Sequence, residues 1–195
     1  MNKSMMTLAA FGIAFAGMAS AETWTLDGSA SQMSFGSVKK DVIGEVHHFN
    51  GLSGSVDEDG AVSIDINLAS VETYIDIRNA RILEHVFKFA PSATLTTSLD
   101  MDSFDDLKVG GMTAMDIDGD LRFLGAEIYV PAQVLVARLG EDTVLVTSDM
   151  VYVSTEELEV DSGIDKLMEL ADLPGITRTV PVSVRLVFIA DGKGA

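Results

Sequence analysis

The sequence predicts an all-β protein built around one antiparallel sheet. Apolar and polar residues alternate along most of the chain after residue 22, so each segment has one apolar and one polar face. Short polar turns, such as Asp57–Gly60 and Leu139–Asp142, separate the segments. A sheet of this size must bury its apolar face, either as a sandwich or as a closed barrel. Alternation alone does not choose between the two.

The alternation is clearest in Ala61–Leu68, where every second residue from Val62 to Leu68 is apolar. Segments of this kind predict eight or nine strands. The candidate Ala126–Leu139 contains Pro131, which is expected to bend or interrupt it because proline cannot donate a hydrogen bond to a neighbouring strand. The strand candidates are Thr23–Asp27, Ser31–Val38, Glu45–Val56, Ala61–Leu68, Thr94–Met101, Met115–Phe123, Ala126–Leu139, Thr143–Val153 and Val180–Ile189.

One segment between the strands has a helical period instead. Over Asp76–Phe87, the residues Ala80, Leu83 and Phe87 fall on one side of a helix. We interpret this helix as a lid or wall at one end of the sheet structure. Its three apolar side chains are expected to face the interior or a ligand.

A second short helix is predicted at Ile164–Leu170, with Asp161 or Ser162 as its cap and a proline–glycine pair after it. No repeat of solenoid length, linker or low-complexity tract divides the chain. Residues 22–195 are therefore expected to form one domain with a sizeable core.

The first 21 residues have the features of a signal peptide. Lys3 supplies the positive start, Met5–Met18 is apolar but too short to span a bilayer, and Ala19–Ala21 fits a cleavage site. Residues 1–21 are expected to be removed on export, so the mature protein is expected to be periplasmic or secreted. A membrane anchor is the alternative, which is disfavoured because no long apolar run follows. Stable membrane insertion is therefore not expected.

The chain carries 13 Lys and Arg residues against 30 Asp and Glu residues, a net charge of −17. Nucleic acid is not an expected partner, because phosphate contacts require a basic surface. Adsorption to an anionic bilayer is disfavoured for the same reason. We interpret the acidity as a solvated surface. The absence of cysteine excludes disulfides and thiolate chemistry, and nothing in the sequence indicates an oligomeric state.

The sequence shows no pattern typical of catalysis or metal binding. It has no Gly-x-Ser-x-Gly turn and no glycine-rich phosphate loop after a strand. His47 and His48 are adjacent in a predicted strand and point to opposite faces, so one metal ion could not readily take both. Each is expected to face solvent or to be hydrogen-bonded. Arg78 is expected to bind loop carbonyls or an inward acid. No catalytic residue, metal ligand or cofactor is predicted.

Several short motifs follow one another along the chain: Trp24–Phe35, Phe49–Gly54, the Ser-x-x-Thr run Ser70–Thr73, Arg78–Asn79 followed by Val86–Phe89 and Pro91, Gly119–Gly125, Ser162–Ile164 and Ile176–Val182. Taken in this order, they resemble the YceI-like family of secreted, polyisoprenoid-binding, lipocalin-like proteins. The resemblance covers nearly the whole chain after the leader. Asn79 stands where the family usually has Asp after Arg, and Arg122 stands where it usually has Thr.

The resemblance implies an antiparallel, lipocalin-like β-barrel of about eight strands with one or two short helices. It further implies that the barrel holds a long apolar lipid, a polyisoprenoid or a quinone-like molecule. In such a barrel Trp24 would plug one end. The inward face would be almost wholly aliphatic and aromatic: Met33, Phe35, Val62, Ile64, Ile66, Leu95, Leu99, Ile117, Leu121, Phe123, Val134, Val136, Val144, Val146, Val184, Leu186 and Phe188. The residues expected to line the ligand are Phe35, Ile66, Leu83, Phe87, Leu121 and Phe123.

The favoured function is a periplasmic carrier that binds an apolar lipid and performs no chemistry on it. One alternative is an enzyme or redox accessory that acts on an isoprenoid lipid. It would need an ionisable pair inside the cavity, and the sequence indicates none. The other alternative is a filled barrel that acts through its acidic surface on a protein partner. That protein would carry no lipid on purification.

Overall fold

The computed structural model describes residues 23–101, 104 and 107–192. The predicted signal peptide lies outside these residues. The strands are β1 Trp24–Leu26, β2 Gln32–Lys39, β3 Ile43–Phe49, β4 Leu52–Val56, β5 Ala61–Asn67, β6 Val71–Glu72, β7 Ser92–Ser98, β8 Met112–Phe123, β9 Ala126–Arg138, β10 Thr143–Ser148, β11 Val151–Ser154 and β12 Thr179–Ala190. The helices are α1, Asp76–Arg81, and α2, Asp161–Ala171.

These strands close into the antiparallel barrel that the resemblance implies. Strand β1 pairs with β4 on one side and with β12 on the other, so the hydrogen-bonded circuit β1–β4–β5–β7–β8–β9–β10–β12 returns to its start. The remaining strands do not add positions to this circuit. β2 pairs with the part of β12 that β1 does not reach, β3 pairs with β2, and β6 pairs with β3. β11 pairs with the part of β12 that β10 does not reach. The described strands therefore occupy eight positions around one barrel.

Two of the predicted long strands are each divided in the structure. The candidate Glu45–Val56 breaks between β3 and β4, where the backbone at Gly51 packs tightly against the short helical turn Leu68–Ser70. A Cβ atom on Gly51 would lie 2.9 Å from the Cβ of Ser70, and the Gly51 N–H donates to Ser70 Oγ at 2.8 Å. The other division separates β10 from β11. At the first break the chain passes to new partner strands, β1 and β5, whereas β11 continues along β12, which β10 also pairs with.

Strand β9 is unbroken, so the expected interruption at Pro131 is wrong. Pro131 pairs with Asp118 of β8 on one side. On the other side, the Gln133 carbonyl accepts a hydrogen bond from the N–H of Asp149, which lies between β10 and β11. The backbone of Pro131, two residues earlier, faces the same side. The ladder with β10 runs only from Val134 to Arg138. Proline is tolerated here because its missing N–H faces an edge that has no ladder partner.

The predicted helix Asp76–Phe87 is two structures in succession. Helix α1 ends at Arg81 and continues as a π-helical turn, Ile82–Val86, in which the Phe87 N–H donates to the Ile82 carbonyl at 2.9 Å. A π-turn adds a residue per turn and rotates everything after it relative to an α-helix. Ile82 and Val86 are consequently buried with Phe87, whereas Ala80 is exposed and Leu83 is half-buried.

Helix α2 packs directly on the π-helical turn through Gly163. A Cβ atom there would lie 2.4 Å from the carbonyl oxygen of His85, so a larger residue would force the two elements apart. The predicted cap of this helix is wrong. Val160 occupies the N-cap position, and Asp161 instead accepts a hydrogen bond from Thr155 Oγ1 at 2.5 Å. Within the described ranges, no helix is both long and apolar enough to cross a bilayer.

Candidate functional site

The barrel encloses a cavity of about 590 Å³. This volume is in the range of small-molecule binding sites. Every residue that the sequence places on the inward face, from Met33 on β2 to Phe188 on β12, is among the residues that line it. The inward face therefore surrounds a space, and its side chains do not fill the barrel.

One end of the cavity is closed by aromatic packing. Trp24 is only 3% exposed and meets Phe104 edge-to-face, with the ring centroids 5.4 Å apart. The guanidinium of Arg138 lies over the Phe104 ring, 5.7 Å from its centroid. Trp24 thus has the plugging position that the sequence suggested.

The opposite end is the mouth of the cavity. Four of the described lining residues are solvent-exposed, and all four lie on α1, at the end of α2 or in the segments beside them: Ile75, Ile77, Ala171 and Thr177. We call this the helical end. The solvent-exposed part of the lining is therefore at the helical end, opposite Trp24.

A row of aromatic rings runs through the wall of the cavity. Phe35 stacks on Phe49 at a centroid distance of 5.1 Å, and Phe49 lies 5.8 Å from Phe87. Phe87 meets Phe123 edge-to-face at 5.7 Å. These four residues, the aromatic row, join strands β2, β3 and β8 to the π-helical turn through favourable ring contacts.

Five of the six residues expected to line the ligand are in the cavity wall: Phe35, Ile66, Phe87, Leu121 and Phe123. Contact between these side chains and a lipid stays a prediction. Leu83 is the exception, because it packs against the core and is not among the lining residues. Ile82 and Val86 line the cavity in its place, since the π-helical turn changes which side of the helix faces inward.

Ile82→Asp is expected to lower the free energy of unfolding by several kcal/mol, because it would bury an unpaired carboxylate. Ala80→Asp, on the exposed side of the same segment, should change it by no more than about 0.5 kcal/mol. Urea unfolding of the two variants measures the difference. If Ala80→Asp proved the more damaging change, the helix would face the interior with the side that the α-helical period predicts.

A charged cluster lines the helical end and corrects the expectation that the cavity holds no ionisable pair. Glu45 on β3 bonds to Lys39 Nζ and to Arg78 Nη1, each at 2.9 Å. Arg78 Nη2 also donates to the Thr73 carbonyl at 2.6 Å, so Arg78 binds both an acid and a loop carbonyl, as the sequence predicts. Burial alone would raise the pKa of Glu45, but the hydrogen bonds from Lys39 and Arg78 outweigh it and hold that pKa below its ordinary value.

His47 is the functional candidate that the sequence analysis missed. It is only 3% exposed, it lies 5.2 Å from Phe35, ring to ring, and its Nε2 is 3.1 Å from Ser37 Oγ. Its Nδ1 is buried without a hydrogen-bond partner, so His47 is hydrogen-bonded, as expected, but at only one of its two ring nitrogens. Burial, reinforced by the charge of Arg78, lowers its pKa to about 4. The signal was available in the sequence, since alternation puts His47 on the inward face with Glu45 and Phe49.

Residues of the Ser-x-x-Thr and Arg-Asn motifs stabilise the loop that leads to Arg78 of this cluster. Asn79 Oδ1 accepts hydrogen bonds from the Thr73 N–H at 2.9 Å and from Thr73 Oγ1 at 2.5 Å. Asn79 Nδ2 donates to Glu72 at 3.1 Å. An aspartate at position 79 could accept the same bonds, but its carboxylate would face that of Glu72. The asparagine is therefore matched to the neighbouring acid.

The arrangement suits binding better than catalysis or metal coordination. Among the described residues, no group of three or more His, Cys, Asp or Glu side chains could hold a metal ion. Glu45 is held by two cations, and His47 is neutral at neutral pH because of its low pKa. A proton-transferring group works best when its pKa is near the operating pH, and neither residue meets this condition.

Comparisons with known proteins agree with this architecture. A polyisoprenoid-binding domain from Saccharophagus degradans, implicated in plant cell wall breakdown, has a similar structure with a TM-score of 0.84 and 32% identity. The match covers 86% of this chain and 98% of that one. BcnA of Burkholderia cenocepacia shares the fold at a TM-score of 0.61 and 17% identity, over 83% of this chain and 98% of that one. No curated protein matches the chain. The model of the YceI-like domain matches residues 24–188, and the chain therefore belongs to the YceI-like family.

Proposed function

We propose that this protein binds a long apolar lipid of the polyisoprenoid class inside the barrel and carries it through an aqueous compartment. The observation that supports this most directly is the deep cavity, closed at Trp24 and open at the helical end, with an aliphatic and aromatic wall. Each methylene moved from water into such a wall contributes about 0.8 kcal/mol. A chain of several isoprene units can therefore outweigh the entropy lost on association. The related polyisoprenoid-binding domain supports the ligand class.

The protein acts as a carrier and performs no chemistry on the lipid. The charged cluster at the helical end is the one observation in favour of an enzyme, because an ionisable pair does line the cavity. Glu45 and Arg78 neutralise each other, however, and Glu45 keeps its charge because of its lowered pKa. The pair is therefore suited to positioning a polar group and poorly suited to exchanging protons with it.

The carrier works outside the cytoplasm after loss of residues 1–21. The motivating feature is the leader pattern of Lys3, Met5–Met18 and Ala19–Ala21. A compartment outside the cytoplasm also fits the function, since a lipid crossing an aqueous space needs a shield.

One mass-spectrometric experiment tests both the lipid binding and the export. The protein is isolated from the exported fraction, its intact mass is measured, and an organic extract of the same sample is searched for lipids. The expected result is a chain that starts at Glu22 together with an isoprenoid lipid in stoichiometric amount. Protein without apolar lipid that also fails to take one up in vitro would contradict the carrier function. A full-length chain in the membrane fraction would contradict the proposed export.

A further inference from the structure

The inward faces of β2 and β3 change from apolar to charged along the barrel axis. Because the strands are paired in register, facing positions can be followed as levels of the wall, from the barrel interior to the helical end. The facing pairs are Met33 with Phe49, Phe35 with His47, and Ser37 with Glu45, and Lys39 follows on the same face. A ligand with one apolar and one polar end therefore has a preferred direction in this cavity.

Two nitrogen atoms at the polar levels are buried and lack a hydrogen-bond partner, His47 Nδ1 and Arg78 Nε. The third such side-chain atom among the described residues is the indole nitrogen of Trp24, at the closed end. An unpaired buried polar atom is costly and uncommon. When the Ser37 hydroxyl donates to His47 Nε2, the neutral ring carries its proton on Nδ1, so Nδ1 is a donor, like Arg78 Nε.

The charge of the helical end also favours a ligand group that presents oxygen acceptors. The described ionisable side chains that line the cavity, apart from neutral His47, are the cations Lys39, Arg78 and Arg81 and the single acid Glu45. The lining is therefore net positive, although the whole chain has a net charge of −17. The free donors and the positive lining both fit a group that presents oxygen atoms.

We propose that the helical end is a head-group site, in which His47 Nδ1 and Arg78 Nε donate to an oxygen of the lipid's polar end. The tail then runs past the aromatic row towards Trp24. This inference rests on the proposed function and adds the direction of the ligand and the chemistry of its head group. A phosphate and a quinone carbonyl share the required acceptor oxygen.

His47→Phe tests the site, because phenylalanine keeps a ring against Phe35 and removes the donor. The matched control is His48→Phe, the same change on the opposite face, where His48 Nδ1 lies 3.1 Å from Ser34 Oγ. Binding is measured for geranylgeranyl phosphate, for a quinone with a geranylgeranyl tail, and for squalene, which has no head group. We expect His47→Phe to weaken binding of the phosphate and the quinone roughly three- to tenfold and to leave squalene unchanged. His48→Phe should bind all three like the original protein.

Histidine NMR titration of the original protein separates the two head groups. The side-chain signals of His47, and not those of His48, should shift with either head-group probe. Bound phosphate should also raise the pKa of His47, because an anion stabilises the imidazolium, whereas the quinone should leave it at about 4. Equal affinity of the original protein and His47→Phe for every probe, with unshifted His47 signals, would overturn the head-group site and leave the lipid carrier intact. Failure of all three probes to bind the original protein would overturn both.

Discussion

Leu121→Trp is expected to lower lipid uptake at least tenfold while the barrel stays folded. Leu121 faces the cavity from β8, between Leu95 of β7 and Ile128 of β9. An indole at this position would occupy space that the ligand needs, and a cavity can accept volume that a packed core cannot. Uptake of a fluorescent polyprenyl lipid measures the loss, and thermal unfolding measures the stability.

Leu135→Trp is the matched control for this change. Leu135 lies on β9 and is 43% exposed, so an indole there should affect neither uptake nor folding. In a filled barrel Leu121→Trp would instead overpack the core and destabilise the protein by about 1–3 kcal/mol. That destabilisation, together with absence of uptake in the original protein, would contradict the carrier function.

Acidification below pH 6.5 is expected to destabilise the protein through His47 alone by about 3 kcal/mol. In the folded state burial and the charge of Arg78 lower the pKa of His47 to about 4, against an ordinary value of 6.5. As the pH falls, His47 therefore takes up a proton at a higher pH in the unfolded chain than in the folded protein, and this favours unfolding. The contribution of His47 to stability is complete above pH 6.5 and is lost as the pH falls through about 4.

The His47→Phe variant isolates this effect, since it cannot bind the proton. Urea unfolding of both proteins at about pH 7.5 and about pH 4 gives the difference that belongs to His47. Glu45 does not confuse this comparison, because it is present in both proteins and its pKa lies below its ordinary value of 4.5. An identical pH dependence of the two proteins would show that His47 is accessible to protons in the folded state.

The sequence predicts the wall of the cavity well, because the inward side of a β-strand follows from alternation alone. Val62, Ile64 and Ile66 line the cavity as the pattern of β5 requires. The same rule would have placed Glu45 and His47 inside. Their inward position depends only on β3 being a strand, and polar residues at inward positions are easily assigned to solvent.

The helical segment was less predictable, for a different physical reason. The periodicity argument assumes one helix type, and the change from α-helix at Arg81 to π-helical turn at Ile82 shifts the buried side from Leu83 to its neighbours. The turn packs against α2 at Gly163, far along the chain, so local sequence does not specify it. Pro131 was misjudged in the same way, because its position at an unpaired edge depends on where the β9–β10 ladder ends.

Because Trp24 closes one end of the barrel, the cavity has a fixed length. A tube that is open at both ends would let a polyprenyl chain of any length slide through it. With one end blocked and the head group held near His47 as proposed, the distance between the two would set the length of tail that can be enclosed. A shorter tail leaves apolar wall uncovered, and a longer one must fold back or push its head group out of the mouth. Selection among isoprenoid lipids would then act on the number of isoprene units as well as on the head group.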